Sequence, residues 1–161
     1  MSDTRGAPET GYNLEKIYFP EQTLRLHGPS EGMAEETPMQ FGWDWKFLEA
    51  KTRFEVLVQI SIGPTKARPE DVKLVACAIF SVVGDAQSVA LSDFVRLHGP
   101  AILFPYVREA ISSLTGRSFF GPMYVAPLNI VKIMSDLDPK ATTGARQVEE
   151  NGQDSKSSTG E

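Results

Sequence analysis

Between residues 40 and 62 the chain alternates. Phe41, Trp43, Trp45 and Phe47 are separated by Gly42, Asp44 and Lys46, and Phe54, Val56, Val58, Ile60 and Ile62 follow with Glu55, Gln59 and Ser61 among their spacers. A period of two is the repeat of side chains on one face of a strand, and the second run is rich in β-branched residues, which suit a pleated surface. The pattern predicts two strands, the first carrying four aromatics on one face. The short EAKTR between them suits a hairpin, so the two strands are expected to be neighbours.

Upstream, YNLEKIYFPEQTLRL also reads as extended, but its apolar parity slips between Leu14 and Ile17, and Pro20 cannot donate to a ladder. A bent or bulged edge strand is predicted there. Downstream of the polar loop GPTKARPED, the run Val72 to Val83 is apolar on both faces. Such a strand needs cover on both sides: helices on one and, in so small a chain, another subunit on the other, with Val75, Cys77 and Ile79 facing it.

After Gly84 the period lengthens. Val89, Ala90, Phe94 and Leu97 can share a helical face, and beyond the interrupting HGP a stripe runs through Ile102, Leu103, Tyr106, Val107, Ala110, Ile111 and Leu114. Arg108, Glu109, Ser112 and Ser113 take the opposite face, and Phe104 falls off the stripe. An interior proline costs a helix about 3 kcal/mol or more. Gly99 and Pro100 are therefore expected to break one helical region into two, with the second piece starting near Ala101 or Ile102. That start places Pro105 in a permissive first turn and Gly116 at the end as a left-handed cap. A short C-terminal helix is predicted from about Asn129 to Leu137. The class is α+β, with four strands first and helices after.

The 161 residues suit one domain with tails. Residues 1–11 and 138–161 are polar and poor in large apolar groups, so both ends are expected to be disordered. A net charge of -5 argues against nucleic acid as partner. The lone Cys77 cannot form an intramolecular disulfide and lies in an apolar run, which fits a reducing compartment. No signal-peptide pattern and no run of about 18 apolar residues is present, so a cytoplasmic protein without membrane insertion is expected.

Catalytic chemistry finds little support. His27 and His98 are the two histidines, no Cys/His/Asp cluster has metal-ligand spacing, and GxSxG, P-loop and GxGxxG patterns are lacking. No enzyme activity, metal or cofactor is expected. Arg108 and Glu109 are adjacent, and neighbours on a helix do not face each other; they read as a solvated face or as part of an interface ion pair. The aromatic strip can be a core face or a binding surface. Phe119, Phe120, Met123 and Tyr124, in a loop punctuated by Gly and Pro, add more apolar area than loops usually hide.

The stretch ILFPYVREAISSLTGRSFFGPMYVAPLNI resembles the SecB family of protein-export chaperones. The matching residues are Leu103, Phe104, Pro105, Tyr106, Arg108, Glu109, Gly116, Ala126, Pro127 and Asn129, with AIFSVVG (Ala78 to Gly84) also similar to the family's fourth strand. The likeness covers about residues 12–137, which the resemblance makes one chaperone domain. It implies an antiparallel four-stranded sheet followed by a broken long helix and a short C-terminal helix, assembled as a homotetramer, a dimer of dimers. It also implies ATP-independent holding of unfolded polypeptides or preproteins in apolar grooves, and delivery to the SecA motor. On that reading Trp43, Trp45, Phe119, Phe120, Met123, Ile130, Ile133 and Met134 line the groove, while Val75, Cys77, Ile79, Arg108 and Glu109 belong to the oligomer interface. Lys73 departs from the family pattern by reversing a charge in the acidic surface that docks SecA. A chaperone dedicated to the antitoxin of a toxin-antitoxin system is therefore the alternative, and a small α+β enzyme or ligand-binding protein is the alternative of another class.

Overall fold

The structure, a computed structural model, describes residues 11–28, 33–49, 51–84, 89–130 and 132–133. Four strands, β1 (Gly11–Leu26), β2 (Met39–Glu49), β3 (Arg53–Ile62) and β4 (Glu70–Val83), precede the helical segments α1 (Leu91–Asp93) and α2 (Gly99–Thr115), which a π turn (Phe94–His98) joins. All strand pairs are antiparallel, and the order across the sheet is β1-β4-β3-β2. Residues 1–10, the C-terminal tail and most of the predicted C-terminal helix lie outside the described residues, while Gly11, expected in the N-terminal tail, pairs with Val83 and opens β1.

Register explains the alternation. Phe54 lies opposite Phe80, Val56 opposite Ala78, Val58 opposite Ala76 and Ile60 opposite Leu74, and all eight are buried. The β2 aromatics continue the same rows, with Trp43 opposite Val58 and Trp45 opposite Val56. Phe54, Phe80 and Phe94 stack or meet edge to face at centroid distances of 5.1–5.9 Å, a geometry that adds to their area burial. The parity slip in β1 takes the form of register shifts between Leu14 and Lys16 and between Tyr18 and Glu21, the second holding Pro20.

One helical path covers this face. α2 packs on β4, β3 and β1 through Leu103, Phe104, Val107, Ala110 and Ile111. The expected break between two helices is a widened turn: the Gly99 N–H bonds the carbonyl of Phe94, five residues back. A proline ring clashes with the carbonyl four residues before it, and the π turn immediately ahead of Pro100 opens that spacing. Three expectations are corrected. Pro100, not Pro105, lies in the first turn of α2, and Pro105 is interior but exposed. Gly116 is right-handed at φ -59°; the left-handed glycine after the helix is Gly121 at φ 70°. Phe104 is buried while Ile102 and Tyr106 are exposed. The apolar arc on α2 is wider than the contact with the sheet, and spacing alone does not say which edge of the arc turns inward.

Gly99 sets how closely helix and sheet approach. A Cβ there would meet the two methyls of Val56 at 3.0 and 3.2 Å, and Val56 is fully buried. Gly99→Val is expected to lower stability by about 1 to 3 kcal/mol through overpacking, read as a lower urea midpoint at unchanged slope. Val56→Ala in the same chain should relieve part of that loss, so that the double variant is more stable than the sum of the single changes.

Candidate functional site

The two faces of the sheet differ. On the helix side, α2 lies over β4, β3 and β1, which leaves the aromatic row of β2 at the margin of the cover. Trp43 and Trp45 are half-buried against the core, while Phe47, in edge contact with Trp45 at 5.1 Å, is exposed. Chain emerging from α2 supplies a second apolar element. Phe119 and Phe120 form an edge-on pair with centroids 5.3 Å apart. Phe119 is 93% exposed and Tyr124 is 79% exposed, whereas Val125 and Ile130 of the same segment are buried in the core.

This segment begins in turns and continues without regular secondary structure, and it is held by polar ties to its backbone. Thr115, fully buried, accepts the Met123 N–H at 2.7 Å and donates to the Ile111 carbonyl at 2.7 Å. Arg108 Nε donates to the Val125 carbonyl at 2.8 Å. Arg68, from the loop between β3 and β4, donates to the carbonyls of Gly121 at 2.6 Å and Pro122 at 3.4 Å. Asn129 Oδ1 then accepts the Lys132 N–H at 3.0 Å and caps a short helical turn.

The bare face carries a polar crossing. Tyr18 on β1 reaches over β4, where Cys77 is its opposite residue, and donates its hydroxyl to Glu55 on β3. Lys46 on β2 pairs with the other Glu55 oxygen at 3.0 Å. Glu55 is buried, and an ionised carboxylate there needs these donors. The hydrogen bond to Glu55 and burial push the Tyr18 phenol above its ordinary range, and the Glu55 carboxylate likewise raises the Lys46 ammonium. Cys77, opposite Tyr18, is buried, and that burial pushes the thiol up.

The residues singled out from the sequence separate accordingly. Trp43, Trp45, Phe119, Phe120, Met123, Ile130 and Ile133 all belong to the helix side or to the segment that follows α2; Ile130 is in the core, Met123 and Ile133 pack against it, and Met134 lies outside the described residues. Val75, Cys77 and Ile79 share the bare face, Cys77 already covered within the chain and its neighbours half-buried. Arg108 is used internally, on Val125, while exposed Glu109 accepts the Ser113 hydroxyl at 2.7 Å. Sequence reasoning missed Arg68, Thr115 and the Tyr18–Glu55–Lys46 crossing. Glu55 inside an apolar strand was the one available signal.

Among the described residues no group of His, Cys, Asp and Glu is arranged to hold a metal ion, and no helix is long and apolar enough to cross a membrane. Two hollows are lined by described residues. One of about 390 Å3 is lined by Tyr12, Val89, Phe94, His98 and Ile102, and another of about 250 Å3 lies between Gln40, Ser61, Asp71 and Lys73.

Residues 25–137 match the family model described as preprotein translocase subunit SecB. The chain is 27% identical over 124 residues to the protein-export protein SecB of Azoarcus sp. (strain BH72), an alignment covering 73% of this chain and 82% of that protein. To the protein-export protein SecB of Methylococcus capsulatus it is 26% identical over 145 residues, covering 80% and 86%. Its fold is similar to that of the Mycobacterium tuberculosis Rv1957 SecB-like chaperone, solved in complex with a ChAD peptide from the Rv1956 HigA1 antitoxin. That likeness has a TM-score of 0.56 at 17% identity and covers 73% of this chain and 91% of the other.

Thr115→Val keeps the shape of the side chain and removes the acceptor of the Met123 amide. A loss of about 1 to 3 kcal/mol is expected from the orphaned donor, measured by urea unfolding, with Thr115→Ser retaining most of the stability. The raised thiol pKa of Cys77 leaves less thiolate at pH 8 than a free cysteine has. Alkylation of the native chain by iodoacetamide should therefore be at least about tenfold slower than in urea, because the thiolate is the nucleophile and access is closed.

Proposed function

The chain belongs to the SecB family, and from that premise we propose that it is an ATP-independent chaperone that holds unfolded preproteins in apolar grooves and keeps them competent for export. The observation that carries the reading is apolar surface left uncovered beside a finished core. The aromatic row of β2 lies at the margin of α2, and the segment after α2 presents Phe119 and Tyr124 outward while Val125 and Ile130 anchor it.

Magnitudes favour several weak grooves over one strong site. Burying an aromatic of about 150 to 250 Å2 at about 25 cal/mol per Å2 contributes at most about 4 to 6 kcal/mol. Ordering client backbone costs about 1 to 2 kcal/mol per residue, so one anchor with three or four fixed neighbours roughly cancels. Grooves on several copies acting on one client make the later contacts intramolecular. A homotetramer supplies them, with half-buried Val75 and Ile79 on the bare face, and Arg108 and Glu109 on α2, as its proposed contacts; Cys77, expected among them, is buried within its own chain and is not available to a partner. Half-buried Met123 gives adaptable packing for varied clients.

A second reading, a chaperone dedicated to an antitoxin, rests on Lys73. It stands exposed on the bare face of β4, between Thr23 of β1 and Ser61 of β3. A positive charge there opposes docking of SecA through an acidic surface. Titration with purified SecA at low salt separates the readings: binding supports the export role, and its absence together with tight binding of one antitoxin supports the second.

Phe119→Ser/Tyr124→Ser removes the two exposed anchors without touching the core. The variant is expected to keep the secondary structure and oligomeric state of the parent. Its suppression of aggregation of an unfolding model protein, followed by light scattering, should require at least about fivefold more chaperone, a loss of about 1 kcal/mol or more. Undiminished suppression at equal concentration rejects the groove assignment.

A further inference from the structure

Glu70 opens β4 with its side chain 1% exposed, and a carboxylate so placed needs a cationic partner. Arg68 provides it, with Nε and Nη2 at 3.2 and 2.9 Å from Oε2. The guanidinium is held from its backbone as well: the Arg68 N–H donates to Thr65 Oγ1 at 3.0 Å, and the Thr65 N–H donates to the Arg68 carbonyl at 2.8 Å. Fixed at both ends, it turns its remaining N–H groups to the carbonyls of Gly121 and Pro122. Gly121 meets it in a left-handed turn at φ 70°, a conformation that favours glycine.

The other ties on this stretch, from Thr115 and Arg108, come from α2. Arg68 is the tie that comes from the sheet side of the molecule. We propose that Arg68 is a positioning residue for client binding: by joining the buried Glu70 to the backbone at Gly121 and Pro122, it fixes the segment bearing Phe119 and Tyr124 relative to the sheet. This rests on the chaperone reading above. A wall held in place before the client arrives spares the complex the entropy of ordering it, so the anchor acts on how long a client stays.

Removing Arg68 alone strands a buried carboxylate and can unfold the chain, so the decisive variant is Arg68→Met/Glu70→Met in the full-length protein. It deletes both charges and the carbonyl ties together. Amide hydrogen exchange at Phe120, Gly121 and Met123 is expected to quicken at least about tenfold, as local opening becomes easier, while exchange in β3 and β4 stays as in the parent. Glu70→Gln leaves the carbonyl ties in place and should exchange like the parent at those amides. Release of labelled, reduced and carboxymethylated lactalbumin should quicken about five- to tenfold in the double variant with little change in association. Unchanged exchange at the three amides overturns the anchor, and faster exchange with unchanged release overturns its role in client binding. Failure of the parent chain to hold the labelled client overturns instead the reading on which the inference rests, and the two failures are distinguishable.

Discussion

The apolar face of this sheet is wider than the single helix that covers it. Strands β2, β3 and β4 present aligned apolar rows, Trp45, Val56 and Ala78 in one and Trp43, Val58 and Ala76 in the next, and β1 lies beyond β4. One α-helix is about 10 to 12 Å across, against strands spaced about 4.8 Å apart, and the close approach at Gly99 and Val56 commits α2 to the middle of the sheet. The β2 row is left at the margin. Chain after the helix must return to close the remaining core, and it does so with Val125 and Ile130. An irregular segment has no ladder to satisfy its backbone there, which is why side chains from α2 and from the loop between β3 and β4 bond it. The uncovered aromatics and the polar anchoring of the returning chain are two results of one mismatch in width.

Much of this frame was legible. The β2 and β3 rows showed in strict alternation, the β4 strand in its double-sided apolarity, and the bulged β1 in its parity slip and Pro20. What the pattern could not supply was geometry that depends on other elements. A residue of slack in β1 decides which face Tyr18 takes, and the slip could be seen without its size. The arc on α2 held too many apolar residues to show an inward edge, and the packing of Phe104 decided it. Pro100 and Pro105 were weighed as breakers, but a π turn absorbs the first within one continuous helical path.

The site divides along the same line. Large apolar residues announce themselves by type, so Trp43, Trp45, Phe119 and Phe120 could be proposed from composition and placement. Arg68, Thr115 and Arg108 act on backbone carbonyls or amides of residues far along the chain, and a backbone group has no sequence signature. Glu70 illustrates the limit: a Glu at the start of a strand reads as solvated, and only the returning segment and the loop around Thr65 make it buried.

Polar residues on the bare face bear on where a client can adhere. Strand β4 is apolar toward both sides, so an uncovered second face would offer a competing sticky surface. Tyr18, opposite Cys77, instead reaches across to Glu55, which joins it to Lys46, so that the crossing spans all four strands. Prying this crossing apart would expose a carboxylate that now has both oxygens engaged, and breaking a buried pair costs more than the pair contributes. An unfolded chain that binds through apolar contacts gains little from that exchange. On the proposed reading, the surface left to a client is the helix side, where Phe47 of the marginal β2 row and Phe119 and Tyr124 of the segment after α2 are exposed.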